Sequence, residues 1–76
     1  MDIGGDFALY EVDVPDMWVG RTIGDLDIRR RHHVNIIGKK QNGRLNITLS
    51  PDTVFNAGET ILVLATKKDF YKTFKV

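Results

Sequence analysis

"VNIIGKKQNGRLNITL", residues 34–49, is the stretch whose reading decides the fold. Asn42-Gly43 is the dipeptide best suited to positive φ at both centres of a two-residue turn, the strongest short-range signal for a β-hairpin. "VNIIGKK" before it is strand-like, and "RLNITL" after it sets Leu45, Ile47 and Leu49 on one face. An antiparallel hairpin is expected here.

The rest of the chain builds outward from that hairpin. "TILVLAT", residues 60–66, is apolar on both faces, as a central strand should be. "FALYEVDVP", residues 7–15, alternates, with Ala8, Tyr10, Val12 and Val14 on one face and Glu11 and Asp13 on the other. Pro15 ends it, because proline cannot donate to a ladder. "DMWVGR" is a connection in which Gly20 permits a sharp turn. "TIGDLDIRRRHH" reads as one short helix. Thr22 and Asp25 have capping-box spacing, and Ile23 and Leu26 can both face the core. Asp25 and Arg29 stand at i and i+4 in the favourable order, the arginines suit the negative C-terminal end, and Gly24 keeps the helix short. "SPDTVFNAGET" is a loop with turn chemistry at both ends. "TKKDFYKTF" is a terminal helix capped by Thr66 and Asp69, with Phe70 and Phe74 on one face. The order β-α-β-β-β-α predicts an α+β fold: a small mixed or antiparallel sheet of about four strands with two helices packed on it. No repeat, low-complexity segment or linker interrupts it, so residues 1–76 read as a single domain.

Composition bounds the function. A 76-residue chain buries only roughly 60% of its unfolded surface, so a partner chain or ligand often adds stability. Hydrophobic residues are 42% and charged residues 28%, an ordinary globular balance. Eleven basic and ten acidic residues leave a net charge of +1, where a dedicated nucleic-acid binder carries a clearer excess. The absence of cysteine excludes disulfides and thiolate metal sites and is compatible with the cytosol. No apolar run approaches the roughly 20 residues needed to span a bilayer. "MDIGGDF" lacks the basic and apolar parts of a signal peptide and reads as a trimmed or engineered terminus of a longer protein.

The candidate chemistry gathers around "DLDIRRRHHVNI". Arg29 can fork onto a phosphate with two hydrogen bonds, or pair with Asp25 along the helix. Arg30 and Arg31 read as solvated surface, with acids of a partner subunit as the alternative. Asn35 stands in an apolar strand and needs partners, which a ligand's base or ribose, or a backbone carbonyl, can supply. His32 and His33 point in different directions and have no acidic or thiolate cluster beside them in sequence, so a turn or a pH-sensitive contact is expected and a metal site is not. Trp18 either anchors its connection to the sheet or covers a dimer surface. No nucleophile arrangement and no glycine-rich phosphate loop after a strand is present, so an enzyme is not expected.

"YEVDVPDMWVGRTIGDLDIRRRHHVNIIGKKQNG" followed by "SPDTVFNAGETILVLAT" resembles the C-terminal domain of RCK proteins, the TrkA-C type, over residues 7–74. The elements that carry the likeness are "VP..WVG.TI..LDIR", the "VNI" strand and "PD..F..GE.ILVLAT". The resemblance implies a cytosolic ligand-sensing domain that regulates potassium or cation transport as a two-fold homodimer. It implies a Rossmann-type domain on the N-terminal side and a membrane-embedded transporter or channel as partner, with no nucleic acid. In Ktr-like relatives the dimer interface binds cyclic di-AMP, and no other cofactor is implied. Position by position, the resemblance assigns that pocket to Ile23, Arg29, Asn35, Ile36 and Pro51. One departure stands out: many members have an aromatic-glycine pair where this chain has His32-His33, which reshapes the turn before the strand. Two readings compete with the sensor: a dimerisation and coupling module without a nucleotide ligand, which makes Arg29 dispensable, and a nucleic-acid binder acting through "RRRHH".

Overall fold

The computed structural model describes residues 2–75. The strands are β1 (Asp2–Gly4), β2 (Phe7–Asp13), β3 (Asn35–Gln41), β4 (Arg44–Asn46) and β5 (Thr60–Thr66). The helices are α1 (Ile23–Leu26), α2 (Ile28–His32) and α3 (Lys67–Phe74), preceded by a 3-10 turn at Asp16–Trp18. The strands form one open sheet in the order β1-β2-β5-β3-β4, every neighbouring pair antiparallel. The α+β class and the order of the main elements are those expected from the sequence, and β1 adds a short fifth strand at the β2 edge.

The pattern of β5 explains its central place. Ile61, Val63 and Ala65 are fully buried, and the register sets Val12, Tyr10 and Ala8 beside them. The helices cover this face. Phe70 of α3 stacks on Tyr10 with ring centroids 3.8 Å apart, and Phe74 meets Trp18 at 5.5 Å. Trp18 is buried and also contacts Phe55 at 5.7 Å, so it anchors its connection within the chain. Leu62 and Leu64 point to the opposite face, which is only partly covered.

Two expectations are corrected. The segment after Thr22 is two short helices rather than one, because Asp27 adopts a left-handed conformation at φ 48° and ψ 46°. Leu26 and Ile28 are both buried, and residues two apart on a continuous helix face different ways; the break turns both inward. It also separates Asp25 from Arg29. That pair does not form, and Asp27 instead accepts a hydrogen bond from Arg30 Nε at 2.6 Å. The second correction concerns the hairpin. Its turn is as expected, with φ of 53° at Asn42 and 79° at Gly43, but β4 ends at Asn46. The Asn46 carboxamide accepts from the Thr48 N–H at 2.9 Å and diverts the chain, leaving Ile47 67% exposed, while Leu45, still paired within β4, is 50% exposed.

Candidate functional site

α1, α2 and the first residues of β3 converge on a shallow cavity of about 200 Å³. Capping fixes the start of α1, since the Thr22 hydroxyl accepts from the Asp25 N–H at 3.0 Å. The loop before β5 fixes its position. The Ile23 N–H donates to the Thr53 carbonyl at 3.0 Å and the Gly24 N–H to the Pro51 carbonyl at 2.9 Å. Ile23, Arg29, Asn35 and Ile36 line the cavity, over a floor that includes the buried Ile28 and Val34. Four of the five residues singled out from the sequence are thus brought to one place. Pro51 lies outside the lining but packs against Gly24, where an added Cβ would sit 3.1 Å from the Pro51 Cβ.

The polar groups of this cavity are free to act. Arg29 is exposed and forms no ion pair among the described residues. The Asn35 side chain makes no hydrogen bond among them, so the backbone carbonyl considered from the sequence does not engage it. A guanidinium and a carboxamide therefore stand unpartnered beside Ile23 and Ile36, an arrangement suited to an anion joined to a flat apolar body.

His32 and His33 build the turn behind the cavity. His33 closes α2 at φ 60°, with its N–H donating to the Arg29 carbonyl at 3.0 Å. The His32 ring lies 6.1 Å from that of Trp18, tilted by 36°. No cluster of three or more metal-ligating side chains occurs among the described residues.

Sequence reasoning missed an ion pair that holds the site's frame. Glu59 is only 3% exposed, and its carboxylate meets Lys39 Nζ at 3.0 Å. It also accepts from the Asn56 N–H at 2.7 Å, while Lys39 donates to the Val54 carbonyl at 2.8 Å. Burial raises the Glu59 pKa, but the Asn56 N–H and the Lys39 ammonium outweigh it and hold the carboxyl below its ordinary range. The signal was present: Lys39 falls opposite Ile61 on the core side of β3, where a charge needs a partner, and Glu59 immediately precedes the apolar β5.

The family model of the TrkA-C domain matches residues 7–76. The chain belongs to the TrkA-C family. TrkA-C, or RCK_C, domains are regulatory domains of potassium transport. No curated protein matches the chain. Among solved structures, the RCK C domain of the potassium transport protein KtrA, in complex with cyclic di-AMP, is similar at a TM-score of 0.83 and 24% identity, over 92% of this TrkA-C chain and 82% of that one. The RCK_C domain dimer of S. agalactiae BusR with cyclic di-AMP gives 0.79 and 19%, over 93% and 90%. The GsuK channel bound to NAD gives 0.78 and 22%, over 92% of this chain but 13% of that one. BusR is also known in complex with its busAB-promotor DNA, so these relatives give no ground for excluding nucleic acid. Among the described residues of this TrkA-C domain, no helix is long and apolar enough to cross a membrane.

Proposed function

We propose that this domain senses cyclic di-AMP as a homodimer and passes the signal to a potassium or cation transporter or channel. The observation that carries the reading is the cavity at α1, α2 and β3, with its unpaired Arg29 guanidinium and unengaged Asn35 carboxamide. At about 200 Å³ it is smaller than the roughly 300–1,000 Å³ of ordinary ligand sites, and two facing copies enter that range. An isologous interface presents each group twice, which suits a ligand with two-fold symmetry. Exposed Ile37, Leu45 and Ile47 offer apolar surface for association. In this arrangement Arg29 of each subunit clamps one phosphate, Asn35 meets a base or ribose, and Ile23, Ile36 and Pro51 enclose the adenines. The domain acts on the cytoplasmic side, joined to a Rossmann-type domain and through it to the membrane protein. The ligand shifts the gate by binding its two states with different affinity.

Calorimetric titration with cyclic di-AMP tests this on the wild type and on Arg29→Ala. Saturation at one ligand per two chains is expected, weakened about 10- to 100-fold in the variant, the worth of a charged hydrogen-bond pair at about 1.5–3 kcal/mol. Absence of binding by a wild type that still dimerises would leave a coupling module without a nucleotide ligand.

A further inference from the structure

A second cavity, of about 540 Å³, opens between the connection after β2 and the ends of α2 and α3. It shares no lining residue with the cavity at Arg29. Four cations reach it: Arg21 from the connection, Arg31 from α2, Lys72 from the last turn of α3, and Lys75 just beyond. None of the four forms an ion pair among the described residues. Asp16 is the single carboxylate in the lining, so three positive charges remain uncompensated here against +1 for the whole chain.

Helix ends account for part of this. Cations near the C-termini of α2 and α3 complement the helix dipoles. That covers Arg31, Lys72 and Lys75, the last being the C-cap of α3, but not Arg21, which comes from a connection. All four are exposed, so water and salt screen their mutual repulsion, and an anion placed among them gains from every one. The cavity also has an apolar side, where the Trp18 and Phe74 rings meet and Met17 stands exposed. Its volume falls within the ordinary range of ligand sites without a second subunit.

We propose that this cavity is a second ligand site, one per chain, for a small molecule carrying two or more phosphates. Arg21 and Arg31 would fork onto phosphate oxygens, and Lys72 and Lys75 would act as point charges. Two sources share this chemistry: a nucleoside diphosphate, whose base would use the apolar side, and inorganic pyrophosphate. The near-neutral chain disfavours a nucleic acid, whose backbone calls for a broad basic surface.

The test is titration of the whole chain with ADP, pyrophosphate and a short DNA duplex in turn. It uses the wild type, Arg29→Ala, and the exposed double variant Arg31→Glu/Lys72→Glu, with thermal melting to verify folding. Saturation by ADP or pyrophosphate at one per chain is expected, unchanged in Arg29→Ala and weakened at least about tenfold in the double variant. ADP tighter than pyrophosphate would assign the site to nucleotides, and the reverse to inorganic phosphates. If the double variant is unfolded, Arg31→Gln serves in its place with the same expectation at smaller size. The proposal is overturned if neither probe binds, if the duplex alone binds, or if the folded double variant binds as tightly as the wild type. Because Arg29 belongs to the other cavity, failure of the cyclic di-AMP reading leaves this result unaffected.

Discussion

His33 shows how a single dihedral angle shapes the neighbourhood of the site. Its φ of 60° turns the chain from α2 into Val34, the floor of the Arg29 cavity. A side chain in this conformation meets the following carbonyl, a cost glycine avoids, offset in part by glycine's greater freedom when unfolded. His33→Gly is therefore expected to stabilise the domain by about 0.5–1 kcal/mol, read as a higher urea midpoint with an unchanged slope. The sequence displayed the departure from the family's aromatic-glycine pair but not the φ that gives it meaning. Arg29 and Asn35 were legible as candidates because a guanidinium and a carboxamide in apolar company call for partners. That Asp25 does not pair with Arg29 follows from the turn at Asp27, which periodicity does not reveal.

At the level of elements, α1 and the loop before β5 are held closer than their sequences suggest. Gly24 reads in sequence as a weakness in a helix, yet its missing Cβ is what admits Pro51, whose carbonyl would stand 3.0 Å from an alanine methyl. Alanine gains up to about 1 kcal/mol of helix propensity, but overpacking against backbone costs about 1–3 kcal/mol. Gly24→Ala should therefore lower stability by about 1 kcal/mol and displace Pro51, which urea unfolding and a cyclic di-AMP titration would both register. The split of α1 from α2 left a trace, since Leu26 and Ile28 are two apart and both apolar, a spacing that one helix cannot turn to a single core. The end of β4 left none. "RLNITL" alternates throughout, and only the Asn46 carboxamide bond to Thr48 takes the last residues off the ladder.

Across the whole molecule, the Lys39–Glu59 pair ties β3 to the base of the loop that carries Pro51. The folded Glu59 pKa lies below its ordinary value of 4.5, so its contribution to stability is present above that value and is lost as the pH falls through the folded one. Glu59→Gln should flatten the acid limb of a stability profile measured by urea unfolding. Glu59→Ala, which leaves the half-buried Lys39 ammonium with the Val54 carbonyl but no carboxylate, should cost about 3 kcal/mol. Total stability for a chain of this length is about 4–11 kcal/mol, so that loss would be severe. The architecture was largely legible, because strand alternation, the Asn-Gly turn and two threonine caps each act over a few residues. The ion pair was not, since its partners meet only through the pairing of distant strands. The strand that joins them has a further consequence for biosynthesis. β5 comes last in sequence of the five described strands and is the middle one in the sheet, and β2 and β3 share no ladder with each other. On the ribosome, Tyr10 and Val12 emerge with no strand to cover them until Thr60–Thr66 has followed, an interval of a few seconds at about 5–20 residues per second. The nascent chain carries an unsheltered apolar strand for that time, and the sheet closes in one late event.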